Sequence, residues 1–459
     1  MSNTTKTPED LSPGDARCPG PSTSDIILRD VQKPPPEITT ESYSFLGDDD
    51  IAYARYTSQD FFDQEVDKMW TRTWQFACRE EHIPDIGDTY VYDLNRHSVI
   101  VVRHAKDQIK AYINSCKHRG MQLRPSASRG TLKQFRCPFH GFCWHLDGRL
   151  KSIPCDWDFP HIDQSEFKLD EVQVGRWGGF IFINLDENAP PLDQYLEIIP
   201  DHFRHWGFEN RYIALHIEKL LPANWKLAQE AFLEAYHVLA THPQGLLTAG
   251  DANAQYDVFG DNVSRFVHTI GFPSPHLNRE MSEDDILAAL GGKEAGLTLK
   301  EGERAREVYA DHLRKVLGQD LGIDLSAHST SEMIDSIEYF CFPNFFVFPG
   351  ISLPMVYRFR PNDDDVDSCI FDLMFLKPMP EGKKAPMAPA PIKLDIDQSF
   401  TTAEGMEQGL AVIYDQDTQN LMMQTRGIKA SRKQGQTLGN YQEVRLRRMH
   451  MTLDKYLSD

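Results

Sequence analysis

The chain has 459 residues, 41% of them hydrophobic and 11% aromatic, enough for a large buried core divided among two or three domains. A formal charge of −20 opposes binding to nucleic acid or to an anionic membrane and favours solubility, while a basic protein partner fits it. The opening is polar and proline-rich without an apolar signal segment, and no run of about 18 apolar residues follows, so a cytoplasmic protein is expected.

Residues 1–45 carry Pro, Ser, Thr and Gly without periodicity and predict a mobile or loosely docked tail. From Thr57 the stretch TSQDFFDQEVDKMWTRTWQFAC reads as a capped amphipathic helix, with Phe62, Val66, Met69, Trp70 and Thr73 on one side. Short β-rich runs at 89–92, 98–103, 110–113 and 179–184, broken by Asp, Asn and Gly, outline a small all-β domain inserted after that helix. DENAPPL at 186–192 is the candidate linker out of it. An alternating strand at 212–220 leads to a helical stretch at 224–244. Residues 278–335 are charged and helical, with Ala305, Val308, Tyr309, Leu313 and Val316 along a stripe that suits core packing or a lid over a pocket. Phe-rich strands run over 337–376, residues 380–391 form a Pro- and Lys-rich loop, and a long helix over about 399–425 precedes an exposed tail helix near 441–457.

Eight cysteines in so long a chain do not make a disulfide framework. Cys18, Cys78, Cys341 and Cys369 are scattered, whereas Cys116, Cys137, Cys143 and Cys155 crowd beside His118, His140 and His145. Cys116 with His118 and Cys137 with His140 give each of two loops one thiolate and one imidazole. Such a quartet suits a tetrahedral zinc site, or a [2Fe–2S] centre with cysteines on one iron and histidines on the other. Gly120 and Gly141 follow the loops, where small residues let backbone N–H groups approach the cluster sulfurs.

The stretch NWKLAQEAFLEAYHVLATHPQ at 224–244 reads as a helix, with Asn224 as N-cap. At ~100° per residue, Glu230, Glu234 and His237 share a face, while His242 lies ~140° from His237. Pro243 disfavours helical geometry at His242, so two histidines serving one metal require the helix to bulge or end between them.

The stretches CKHRG and CPFHGF resemble the cluster-binding signature of the Rieske non-haem iron oxygenases, C-x-H-R-G and C-x-x-H-G, with Phe142 where many members have Trp. The resemblance, to the large (alpha) subunit of ring-hydroxylating oxygenases, extends from about residue 50 to the C-terminus. It implies an α+β protein: an all-β Rieske [2Fe–2S] domain inserted in a helix-grip (START-like) catalytic domain with an antiparallel sheet. The implied segments are a tail over 1–45, an N-terminal helical part of the catalytic domain over 46–82, the Rieske domain over 83–186 and the catalytic domain over 187–459. Cys116, His118, Cys137 and His140 are then the cluster ligands, and Cys143, Cys155 and His145 bystanders. His237, His242 and Asp417 are the implied ligands of a mononuclear Fe(II), Asp417 being preferred to Asp415 because IYDQDTQN resembles the family's D-x-x-N stretch.

Glu234 stands near the acidic residue that, in this family, links the two metal sites across a subunit boundary, as a glutamate like that of monooxygenases acting on quaternary amines. Glu230 is a pocket or supporting candidate, and Tyr236 either supports the site or belongs to the core. The implied reaction activates O2 to hydroxylate, dihydroxylate or demethylate a small organic substrate, aromatic or polycyclic. No G-x-G-x-x-G follows a strand, so NAD(P)H would act through a separate reductase, with or without a ferredoxin. A homotrimer is implied, or an α3β3 assembly with a small subunit. The rival readings are a quaternary-amine monooxygenase, a non-catalytic Rieske electron carrier and a structural zinc protein.

Overall fold

A computed structural model describes residues 11–380 and 382–458. Its N-terminal helices include α1 (Thr23–Ile27), α2 (Pro36–Thr39) and, after a single turn at Ala54–Thr57, α3 (Gln59–Gln64). The stretch 11–45 is a strap and not the expected loose tail: Ile26, Ile27 and Ile38 are buried, and the latter two pack with Trp74, Val263 and Tyr339. Isolated apolar anchors between prolines leave no periodic signal, which is why the sequence reads as unstructured. Residues 1–10, the remainder of that expectation, lie outside the described residues.

Ser58 caps α3, as the pattern predicts, and a π-helical turn, Glu65–Trp70, completes the amphipathic segment with Phe62, Val66, Met69 and Trp70 buried. The helix stops there. QFAC, read from the sequence as its continuation, is instead strand β1 (Gln75–Arg79), pairing with the run predicted at 179–184. The strands that follow are β2 (Asp88–Leu94), β3 (His97–Ala105), β4 (Gln108–Ile113), β5 (Arg129–Thr131), β6 (Phe135–Arg136), β7 (Cys143–Trp144), β8 (Leu150–Ser152), β9 (Glu171–Trp177) and β10 (Phe180–Asn184). They form a seven-stranded sheet in the order β1-β10-β9-β4-β3-β2-β5 and a small sheet β6-β7-β8. The two Cys/His loops connect β4 to β5 and β6 to β7.

Strand β11 (Arg211–Leu221) opens the second sheet. After it come helices α4 (Trp225–Glu230) and α5 (Val238–Thr241), strands β12 (Gln255–Phe259) and β13 (Val263–His268), and helix α6 (Ala305–Leu321). Strands β14 (Ser336–Cys341), β15 (Phe345–Val347), β16 (Met355–Asn362), β17 (Asp365–Pro378) and β18 (Ile392–Leu394) precede helices α7 (Gln408–Ala430) and α8 (Val444–Ser458). The sheet runs β12-β13-β14-β15-β16-β17-β11-β18, antiparallel except for the β11–β18 pair. Helices α4 and α7 lie over it, the helix-grip arrangement expected. Phe-rich strands divide their work: Phe359 and Phe371 stack 4.4 Å apart in the core, while Phe348, Tyr357 and Phe375 face a cavity between sheet and helices. The α6 stripe faces the same cavity through Tyr309, Leu313 and Leu317, whereas Val316 is exposed. Helix α8 is not the exposed tail predicted: Val444, Arg445, Leu446, Met449 and Leu453 are buried. Among the described residues no helix is long and apolar enough to cross a membrane.

Candidate metal centres

The N-W-K triplet anchors the first centre. Asn224 Oδ1 accepts the Lys226 N–H (3.1 Å) and caps α4. Trp225 Nε1 donates to Glu65 Oε2 (3.0 Å), and Lys226 Nζ lies 2.6 Å from Glu65 Oε1 in a fully buried ion pair. The helix read over 224–244 therefore has a fixed start, but it breaks between Glu230 and Val238. Groups from elsewhere satisfy the backbone there: Tyr256 Oη accepts the Ala235 N–H (2.9 Å), and Arg445 Nη1 donates to the Leu233 carbonyl (3.0 Å). Glu234 Oε2 accepts the His237 N–H (2.9 Å). His242, with φ −121° and ψ 61°, has left helical geometry ahead of Pro243 as expected.

This break turns both imidazoles toward one point. His242 Nε2 lies 2.7 Å and His237 Nε2 3.3 Å from Asp417 Oδ1, and ligand atoms of the three residues fall within 4.8 Å of one another. No other such convergence of three His, Cys, Asp or Glu ligand atoms occurs among the described residues. Asp415 is turned elsewhere, accepting from Ser399 Oγ and from the Phe400 N–H (3.0 Å). Asn420 Nδ2 reaches Thr241 Oγ1 (3.2 Å) and ties α7 to α5.

The opposite nitrogens are also held. His237 Nδ1 donates to Glu234 Oε1 (2.8 Å), and His242 Nδ1 donates to Gln416 Oε1 (2.8 Å), which also receives Gln244 Nε2 (2.7 Å). Each ring thus presents Nε2 as its ligand atom. Burial disfavours charge on His237, yet Glu234 and Asp417 hold it up to about 10, so the carboxylates around these rings favour a cation there. Two imidazoles and one carboxylate are the facial donor set that suits Fe(II).

Gln416 escaped the sequence reading; its position beside Asp417 was the only signal. Two other expectations are corrected. Glu230 turns away from the cavity into a network with Tyr56 Oη (2.7 Å), His450 Nε2 (2.7 Å) and Gln436 Nε2 (3.2 Å). Tyr236 is neither core nor support: it is 48% exposed.

The Cys/His loops are conformational copies. Cys116 N–H donates to the Met121 carbonyl (2.8 Å) and Gly120 N–H to the Cys116 carbonyl (2.9 Å). Cys137 with Phe142 (2.9 Å) and Gly141 with Cys137 (3.1 Å) repeat this. Gly120 (φ +76°) and Gly141 (φ +77°) are left-handed, so the glycines serve the turn itself; a Cβ at Gly120 would meet nothing nearer than 3.9 Å. Both thiols are buried, and the His118 and His140 rings lie 4.7 Å apart. His118 stacks on Phe142 (4.6 Å, 7°), and its Nδ1 is buried without a hydrogen-bond partner. Two buried thiols and an orphaned imidazole nitrogen fit a Rieske cluster. Cys143 Sγ points to the Gly141 carbonyl (3.2 Å) and Cys155 is exposed.

Residues 73–163 match the Rieske [2Fe-2S] domain family, and residues 201–459, more than half the chain, match the catalytic domain of the ring-hydroxylating alpha subunit. The chain belongs to the ring-hydroxylating alpha-subunit family. Its cofactors are accordingly a Rieske cluster and a mononuclear iron. A glycine betaine monooxygenase oxygenase subunit from Pseudomonas aeruginosa is 32% identical over 193 residues, 42% of this chain and 44% of that protein. A chlorobenzene dioxygenase alpha subunit from Cupriavidus sp. is 33% identical over 199 residues, with the same shares of 42% and 44%. The chain thus spans less than half the length of these curated relatives. A quaternary ammonium Rieske monooxygenase superposes with a TM-score of 0.61 at 15% identity, covering 89% of this chain and 95% of that one. Naphthalene 1,2-dioxygenase from Rhodococcus sp. does so with a TM-score of 0.59 at 18% identity, covering 89% and 94%. These likenesses establish a common fold.

In this alpha subunit the triad opens onto the cavity, about 1070 Å³ in volume. A cavity of about 150 Å³ already holds benzene, so this one accommodates a far larger ligand.

Proposed function

We propose that the chain is the terminal oxygenase component of a multicomponent system, oxidising a bulky apolar organic substrate with O2. His237, His242 and Asp417 hold Fe(II), and Cys116, His118, Cys137 and His140 hold the Rieske cluster. The observation that carries this reading is the convergence of the His237, His242 and Asp417 ligand atoms at a large, mostly apolar cavity. When bound, the cluster and the iron supply electron relay and dioxygen activation. The chain's own residues do the rest. Glu234 and Gln416 fix the two imidazoles from behind, and the aromatic and aliphatic wall excludes water and presents an apolar substrate beside Asp417.

Reducing equivalents from NAD(P)H arrive through a separate reductase, directly or by a ferredoxin. Association of copies is supported by exposed apolar side chains at both centres, Met121, Phe139 and Trp157 in and after the Rieske loops and Tyr236 next to His237 in sequence, and a homotrimer is the assembly proposed. Docking the Rieske-loop side chains of one copy on Tyr236 of the next brings exposed His140 toward Glu234, which then bridges the two centres. A glutamate in this role and the glycine betaine relative favour monooxygenation as the outcome.

The test is iron and acid-labile sulfide per chain on anaerobic protein, with an EPR spectrum after dithionite reduction. About three irons and two sulfides with a Rieske signal are expected. Two irons and two sulfides would favour an electron carrier, and zinc without sulfide would overturn the reading. Oxygen-18 incorporation then counts the atoms delivered to product.

A further inference from the structure

Apart from the triad and Glu234, the cavity wall carries one cluster of polar groups on neighbouring strands, within electrostatic reach of His237. His268 on β13 and Ser336 on β14 are register partners, and Glu338, two residues on, shares the face of Ser336. All three line the cavity. Tyr309 also faces the cavity, and the remaining polar groups are engaged or at the rim. Tyr357 and Tyr414 hydroxyls bond each other (2.7 Å), and Ser352 Oγ donates to the Met333 carbonyl. Asp320, Lys377, Glu404 and Glu407 are solvent-exposed at the edge.

Above about pH 7 Glu338 is ionised against Arg445 and the patch carries no net charge. Glu338 Oε1 accepts from Arg445 Nη2 (2.8 Å), whose Nε and Nη1 donate to Ser264 Oγ (3.1 Å) and the Leu233 carbonyl (3.0 Å). Asp251, whose charge reaches His268, is buried behind the wall and does not line the cavity, so neither a free carboxylate for a cation nor a free guanidinium for an anion faces the ligand at this patch. Burial pushes His268 down to about 4, so its imidazole is uncharged and offers one donor and one acceptor; its Nε2 is buried without a partner.

We infer that the substrate is a neutral, bulky apolar molecule bearing one hydrogen-bonding oxygen, a hydroxyl or a carbonyl, which docks on His268, Ser336 and Glu338. An unsubstituted hydrocarbon leaves His268 Nε2 buried and unpaired, and a quaternary ammonium compound finds no uncompensated carboxylate at this patch. This assignment rests on reading the cavity as the substrate site of an oxygenase.

Equilibrium dialysis of anaerobic holoprotein against phenanthrene, hydroxyphenanthrene and glycine betaine tests it without turnover. Hydroxyphenanthrene is expected to bind about tenfold more tightly than phenanthrene, the ratio one hydrogen bond supports. Ser336→Ala and Glu338→Gln should each shrink that ratio toward one. If Glu338→Gln misfolds, as judged by its visible cluster spectrum, His268→Phe with Ser336→Ala carries the test. Equal binding of the two polycycles, a ratio unchanged in the variants, or tighter binding of glycine betaine overturns the inference. Failure of reductant-driven oxygen consumption with every ligand, the dialysis ratio standing, would count against the oxygenase reading instead.

Discussion

Replacing Gln416 by Leu should weaken Fe(II) binding without touching the Rieske cluster. Gln416 Oε1 is held toward His242 by Gln244 Nε2 and accepts the Nδ1 proton at 2.8 Å, which leaves Nε2 as the ligand atom. Leucine removes that acceptor, so His242 can carry its proton on Nε2 instead. A neutral hydrogen bond is worth about 1 kcal/mol, and loss of a partner behind a metal-bound histidine typically costs about 10- to 100-fold in affinity. Gln416 is half-buried and water can partly replace it, so the lower end, about tenfold, is expected. Competition with a chelator for Fe(II) on anaerobic protein measures the effect, with the visible band of the cluster as internal standard. Gln416→Glu keeps the acceptor and should retain affinity, and Gln244→Ala should show a smaller loss, non-additive with Gln416→Leu because both act through one oxygen. An affinity for Fe(II) within twofold of wild type in Gln416→Leu would refute this role.

Glu234→Gln keeps an acceptor for His237 but loses the charge; both metals should stay, and cluster reoxidation in a single turnover should slow by at least tenfold, with an unchanged rate removing its bridging role. Phe142→Ala deletes the ring stacked on His118 and, at roughly 3–5 kcal/mol for a buried Phe, should make the cluster bleach faster on warming; an unaltered bleaching rate would contradict the packing role. Asp30 is buried against Arg304 and Arg306, so Asp30→Asn leaves uncompensated charge and should cost roughly 3 kcal/mol in denaturant unfolding, with earlier proteolysis within the N-terminal strap. Burial pushes Glu338 up to about 7 despite Arg445. Its folded form therefore holds a proton that the unfolded form releases above about 4.3, and stability falls as pH rises toward 7. Glu338→Gln should flatten that decline, and parallel pH curves for the two proteins would show the assignment to be wrong.

What could be read from the chain follows from how local each cause is. Cys116 with His118 and Cys137 with His140 stand at short spacings that mark a metal site of either kind, whereas His237 and His242 were nominated as ligands only by the family resemblance. The Phe-rich strands and the N-W-K triplet were legible as patterns, but the partner of Trp225 and Lys226, Glu65, lies 160 residues away from Trp225 in sequence. The break in the helix after Glu230 was anticipated only as a requirement, since Tyr256 and Arg445, which satisfy the freed backbone, are distant in the chain. The same holds for the strap over 11–45, whose anchors are single residues, and for QFAC, which becomes a strand because the edge of β10 is there to receive it.

Arg445 shows why the C-terminal helix had to be buried. One guanidinium caps the Leu233 carbonyl in the broken segment carrying Glu234 and His237, and also neutralises Glu338 in the cavity wall. The exposed tail helix expected there would leave both the carbonyl and the carboxylate without a partner in a water-poor interior, each a cost of about 1–3 kcal/mol. The geometry that turns His237 toward Asp417 and the pairing of Glu338 in the cavity wall thus depend on the same side chain, so the candidate metal site and this wall form one physical unit.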